Sequence, residues 1–124
     1  MVEIRPARKV DKPWGHEEIF AETADYVGKI LFIRQGEALS LQYHEVKEET
    51  LRVLDGELEL VSGTSAERLE SHHLGPETVF HISPGTLHRM VALTDCRLLE
   101  VSTNHLDDVV RLEDRYGREG TTAP

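Results

Sequence analysis

Two histidines, a carboxylate and an amide stand at a spacing that could hold a metal ion. Gln42 and His44 are two apart in the β-prone run Leu39-Ser40-Leu41-Gln42-Tyr43-His44, so both side chains project to one face of a strand. Glu49 follows after four residues, enough for the chain to turn and present a carboxylate from the next strand. His88 comes after Pro84-Gly85-Thr86-Leu87, where a tight turn launches another strand. Together they form a mixed nitrogen and oxygen donor set suited to one divalent first-row ion, with one or two positions open for water or substrate. Such a set does not distinguish Zn, Mn, Fe, Ni and Co. Taken singly, each residue is more ordinary as a structural or solvated side chain; the patterned set reverses that balance. Among the other histidines, His72-His73 reads as a solvated loop and His105 as part of a turn. His16, after Pro13-Trp14-Gly15, is not fixed anywhere by the sequence.

Strands must position these four side chains, and the sequence is punctuated for strands. Turn formers at Pro13-Trp14-Gly15, Gly28, Gly36, Asp55-Gly56, Ser62-Gly63, Gly75-Pro76, Ser83-Pro84-Gly85 and Thr94-Asp95 leave pieces of strand length. β-rich runs at 18–21, 29–34, 50–54, 57–61, 78–82 and 97–102 fill those pieces. Asp55-Gly56 reads as a hairpin turn because its residues tolerate positive φ. No central segment sustains a 3.6-residue apolar period, so the expected fold is all-β, an antiparallel sandwich or barrel.

The chain has 124 residues, which predicts one domain over 1–124 with a flexible tail from about 117 to 124. Fourteen basic against twenty-three acidic side chains give a net charge of −9, which excludes a general binder of nucleic acid or of anionic membranes. No apolar run is long enough to span a membrane, and the start Met1-Val2-Glu3-Ile4-Arg5 lacks a signal peptide's apolar stretch. The single cysteine, Cys96, excludes a disulfide framework and reads as a small packing residue. A cytoplasmic location is the expectation.

The stretch from Gly36 through Gln42, His44 and Glu49 to Gly56 resembles the first cupin motif, G-x5-H-x-H-x3/4-E-x6-G, with Gln42 in place of the first histidine. Gly85 and His88 match the second motif, G-x5-P-x-G-x2-H-x3-N, while Ser83 and Ala92 stand at its proline and asparagine. Gly75 lies two residues upstream of that motif's first glycine. A narrower resemblance spans nearly the whole chain. Lys12-Pro13-Trp14-Gly15, the L-S-L-Q-x-H run ending at His44, Pro84-Gly85-Thr86-Leu87-His88-Arg89, Leu99-Glu100-Val101 and the ending from Asp108 to Arg118 are similar to segments of the type II phosphomannose isomerase cupin domain. Glu45-Val46-Lys47 and Thr50 depart from that family's histidine-rich pattern. No nucleotidyltransferase domain precedes the match, so the stand-alone form is expected rather than the bifunctional one.

The resemblance implies a single-domain cupin, an antiparallel β-barrel or jelly roll, with Gln42, His44, Glu49 and His88 converging on one divalent metal inside it. It implies a metal-dependent aldose–ketose isomerase acting on a sugar phosphate such as mannose 6-phosphate, and a homodimer paired through edge strands. Glu100, an acid inside the apolar run Leu98 to Val101, is the first candidate for the base, with an outward-facing carboxylate as the alternative. Glu48 is a second candidate. Arg89, next to His88, is the best-placed cation for a phosphate, although strand parity turns it outward unless the strand bulges or ends there. Lys29 and Arg118 are assigned to the substrate on the resemblance. Trp14 either walls a sugar pocket or anchors the core, and parity turns Tyr43 outward. An iron-dependent cupin dioxygenase and a non-enzymatic sugar-binding cupin are the alternatives.

Overall fold

The computed structural model describes residues 1–120. Eleven strands make up the fold: β1 (Arg8–Lys12), β2 (Gly15–Glu22), β3 (Val27–Ile33), β4 (Leu41–Tyr43), β5 (Glu49–Asp55), β6 (Leu58–Gly63), β7 (Leu69–Leu74), β8 (Val79–Ile82), β9 (Leu87–Ala92), β10 (Cys96–Ser102) and β11 (Val110–Glu113). Among the described residues there is no helix, hence none long and apolar enough to cross a membrane. The strands form two antiparallel sheets, one of six in the order β1-β2-β3-β10-β5-β8 and one of five in the order β11-β4-β9-β6-β7. No ladder joins the sheets among the described residues, so the fold is a jelly-roll sandwich rather than a closed barrel.

Alternation along the strands decides what lies between the sheets. In β10, Cys96, Leu98, Glu100 and Ser102 are buried while Arg97 and Val101 are exposed. In register with them on β3 lie Ile33, Leu31, Lys29 and Val27, and on β5 Val53, Leu51 and Glu49 follow the same descent. Facing them, β9 carries Ala92, Met90 and His88 opposite Leu58, Leu60 and Ser62 of β6. Inward positions are thus apolar at one end of the sandwich and become polar or charged at the other. The apolar end is filled by Leu31, Ile33, Val53, Leu58 and Leu98, each at most 2% exposed.

Three expectations change here. Asp55-Gly56 does not close a hairpin, because β5 pairs with β10 and β8 while β6 pairs with β7 and β9. Gly56 has φ +89, as the sequence signal required, but the turn hands the chain across from one sheet to the other. A Cβ there would stand 2.2 Å from the Asp95 carbonyl oxygen, so the close approach of that loop also demands glycine. His72 and His73 lie in edge strand β7 rather than a loop, both exposed. The run Leu39 to His44 is strand only over Leu41–Tyr43, and His44 stands just past its end.

Between β7 and β8, Thr78 donates its N–H to the Gly75 carbonyl at 3.3 Å, closing a turn with Pro76 second and Glu77 third. Glu77 has φ +76, the left-handed geometry that such a turn normally gives to glycine. It stands two residues after Gly75, where the second motif places its glycine. Residues 117–120 fold back on the five-stranded sheet: Arg118 N–H donates to Asp114 Oδ2 at 2.8 Å, and Gly120 N–H to the Arg111 carbonyl at 3.2 Å. The rest of the expected tail, 121–124, lies outside the described residues.

Candidate metal centre

One row of side chains crosses the polar end of the five-stranded sheet. Ser62 of β6 is in register with His88 of β9, His88 with Gln42 of β4, and Gln42 with Arg111 of β11. Cross-strand partners share a face, so His88, Gln42 and Arg111 line one cavity. Glu49, the first residue of β5, enters from the opposite sheet. The loop that joins β4 to β5 carries His44 and is clamped by Asp108. That carboxylate accepts the N–H groups of Glu45, Val46 and Lys47 at 2.9, 2.7 and 2.8 Å, and these bonds hold its pKa below the usual range against the pull of burial. Gly85, at φ +83, donates its N–H to the His44 carbonyl at 2.7 Å and so ties the start of β9 to the end of β4.

Both imidazoles are oriented by backbone carbonyls. His44 Nδ1 donates to the Asp108 carbonyl at 2.6 Å and His88 Nδ1 to the Thr86 carbonyl at 2.9 Å. A carbonyl can only accept, so in each neutral ring the proton sits on Nδ1 and the Nε2 lone pair is left for the cavity. The two Nε2 atoms lie 3.7 and 3.5 Å from Glu49 Oε1. These separations are long for hydrogen bonds. They match the roughly 3.4 Å between ligand atoms set tetrahedrally about 2.1 Å from one ion. All three groups are buried, and their ligand atoms fall within 4.8 Å of one another. Burial pushes the His88 imidazole down, favouring the neutral form a metal needs. Burial also works against the Glu49 charge, but His44, Lys47 and His88 outweigh it and hold the carboxyl far below its ordinary range. Gln42 gives its amide N–H to Ser40 Oγ at 2.7 Å, which leaves its oxygen as the group it can offer. The donor set fits a divalent cation.

Beside the donors runs a buried chain of alternating charge. Lys47 Nζ lies 2.9 Å from Glu49 Oε2 and 3.5 Å from Glu100 Oε2. Lys29, the cross-strand partner of Glu100, lies 4.0 Å from it and 3.2 Å from Glu17, and Lys12 lies 3.8 Å from Glu17. Burial would drive Lys47 toward neutrality, yet Glu100 and Glu49 reverse this and raise its pKa. For Glu100, burial and then the Glu49 charge push the pKa up, while Lys47 and Lys29 resist. The chain lines a cavity of about 80 Å³, with room for several waters.

Of the residues singled out in the sequence, Gln42, His44, Glu49, His88, Glu100, Lys29, Arg118 and Trp14 all line this cavity. Arg89 does not. It takes the outward face of β9, as strand parity requires, and braces β11 by donating from Nε to the Leu39 carbonyl at 3.1 Å and from Nη2 to the Glu113 carbonyl at 3.2 Å. Glu48 is also turned outward, 2.7 Å from exposed His81. Trp14, 3% exposed, belongs to the apolar core and walls the cavity at once. Cys96 is buried, and its thiol donates to the Glu57 carbonyl at 3.1 Å, a packing role. Sequence reasoning passed over Lys12, Glu17 and Lys47 and preferred Arg89 to Arg111, because only the fold shows which of these charges turn inward.

The family model for the mannose-6-phosphate isomerase C-terminal domain matches residues 2–114. Mannose-1-phosphate guanylyltransferase RfbM of Salmonella typhimurium is 26% identical over 120 residues, covering 93% of this chain and 24% of that protein. Mannose-1-phosphate guanylyltransferase ManC of the same organism is 34% identical over 118 residues, covering 90% and 23%. Xanthan biosynthesis protein XanB of Xanthomonas campestris pv. campestris is 30% identical over 116 residues, covering 90% and 24%. The chain therefore spans about a quarter of the length of these curated relatives. Among solved structures, CapF with an inhibitor superposes at a TM-score of 0.78 with 18% identity, covering 88% of this chain and 35% of that one. Oxalate decarboxylase from Bacillus subtilis gives 0.75 with 13% identity, covering 86% and 30%. At these identities the structural likeness shows the cupin jelly roll alone.

Proposed function

Since the chain belongs to the mannose-6-phosphate isomerase C-terminal family, we propose that it is a metal-dependent aldose–ketose isomerase acting on a sugar phosphate such as mannose 6-phosphate. The observation that carries this reading is one buried cavity in which the ligand atoms of His44, Glu49 and His88 converge beside the buried carboxyl of Glu100. Relatives named for mannose 1-phosphate favour a mannose phosphate among the sugars.

Aldose–ketose exchange moves a proton between adjacent carbons through an enediol. Glu100 takes that proton from one carbon and returns it to the next, a task suited to a carboxyl whose proton affinity is raised by burial. Lys47 stays protonated between Glu49 and Glu100 and keeps the two carboxylates from repelling each other. Gln42, His44, Glu49 and His88 hold the ion, which when bound supplies Lewis acidity to polarise the substrate carbonyl. Trp14 offers the carbon face of the sugar a flat apolar wall.

Elemental analysis of the purified chain, followed on the same sample by conversion of mannose 6-phosphate to fructose 6-phosphate, tests the reading. One ion per chain, with turnover abolished by chelation and restored by metal, is expected. Failure to bind metal after reconstitution rejects it, and a full metal site without turnover rejects the isomerase activity.

A further inference from the structure

The two sheets differ on the sides they turn away from each other. On the outside of the five-stranded sheet, the rows His73-Glu59-Val91 and Ser71-Val61-Arg89 are mostly polar. On the outside of the six-stranded sheet, one row crosses every strand: Lys9 of β1, Glu18 of β2, Ile30 of β3, Leu99 of β10, Arg52 of β5 and Val79 of β8. On one side of it Phe32 stacks on His16, with ring centres 4.3 Å apart. On the other side the Phe20 ring lies across Gly28, whose absent Cβ would stand 2.7 Å from Phe20 Cζ, and Val101 follows on β10. Phe20, Val79 and Val101 are 45, 60 and 49% exposed. A continuous outward apolar surface of this kind marks a site of association.

We infer that two copies of the chain pack face to face through this surface, about a two-fold axis that runs along the strands between β3 and β10.

The order of charges across the row selects a second copy as the occupant. Glu18 stands on the second strand of the sheet and Arg52 on the fifth, with Ile30 and Leu99 between them. A two-fold axis along the strands sets each strand against its counterpart counted from the other edge. Glu18 of each copy then meets Arg52 of the other, and Ile30 meets Leu99. The same rotation brings the Phe32 ring against Arg97 of the second copy, a cation over an aromatic face. An axis laid across the strands would instead set Glu18 against Glu18 and Arg52 against Arg52, which repel. Arg52 is half-exposed beside Glu77, and a guanidinium has five N–H donors, so it can serve a second carboxylate.

The size of the face also suits a second copy. Strands about 4.8 Å apart and residues about 3.4 Å apart make it roughly 600 Å² once the short edge strands are allowed for. Two such faces bury about 1,200 Å², the lower end of what a stable specific interface needs. Pairing through edge strands alone would leave the whole apolar face in water.

Sedimentation equilibrium of the full chain at micromolar concentration should give twice the 14.1 kDa of one chain. Val101→Glu puts a charge on the face without touching the core and should weaken the dimer about tenfold or more. Leu112→Glu, exposed on the other sheet, should leave it unchanged. Glu18→Arg and Arg52→Glu should each weaken it about tenfold, and the double variant should restore it, because the reversed pair attracts again. Thermal melts identify any variant that fails to fold, and Val79→Glu then stands in for Val101→Glu. A monomer at every concentration overturns the inference, as does a dimer indifferent to both valine variants. A dimer that the double reversal fails to restore overturns the two-fold arrangement. None of these readings depends on bound metal or turnover, so they stand or fall apart from the isomerase reading.

Discussion

At one end of the sandwich, Leu31, Val53 and Leu98 lie in register across three strands and face Leu58, Met90 and Ala92 of the opposite sheet. Two residues further along, roughly 7 Å, the same inward positions are Lys29 and Glu100, with His88 opposite. Backbone pairing is continuous through both regions, so the difference lies in the side chains alone. The apolar end gains from taking surface out of water. The charged end gives up hydration and recovers it only through exact pairing, since a buried ion that loses its partner costs several kcal/mol. Stability is thus concentrated at one end and chemistry at the other, on a single set of strands.

The sharpest way to break this contrast is to truncate one residue at each end. His88→Ala removes a donor, and stoichiometric metal should be lost while circular dichroism still reports the β fold. Leu98→Ala should do the reverse, costing about 2–5 kcal/mol in denaturant unfolding while the folded fraction keeps its metal. Full metal occupancy in the histidine variant would remove His88 from the ligand set. Within the charged end, Glu100→Gln should keep the ion and lower turnover by about 10²–10⁴-fold. Undiminished activity would exclude Glu100 as the base. The smallest effect belongs to a turn outside both regions. Glu77→Gly relieves a left-handed backbone and should raise stability by about 0.5–1 kcal/mol, after allowance for the extra freedom of glycine in the unfolded chain. An unchanged or lower melting temperature would show that the exposed pairing of Glu77 with Arg52 outweighs the strain.

The apolar end was the easier half to read from sequence. A run such as Glu57 to Val61 alternates, and alternation is a direct imprint of one buried face. Edge strands β1, β7 and β11 left a fainter mark, because strands such as Arg8–Lys12 and Leu69–Leu74 are largely polar on both faces. Asp55-Gly56 declared its backbone angle correctly and its topology wrongly, since positive φ serves a crossing between sheets as well as a hairpin. At the charged end, Gln42, His44, Glu49 and His88 were legible as a spacing pattern. Lys47 and Glu17 were not, for their meaning comes from partners such as Glu100 and Lys29 that only the fold brings near. Arg89 shows the opposite failure. Adjacency to a ligand in sequence means, on a strand, the opposite face.

His88 and Glu49 come from different sheets and meet across the cavity between them. In mechanical terms, an ion gripped by both would be a rivet through two walls. Loading it would fix the gap between the sheets, and with it the width of the cavity lined by Glu100 and Lys47. Such an ion would therefore set the dimensions of the cavity as well as its reactivity.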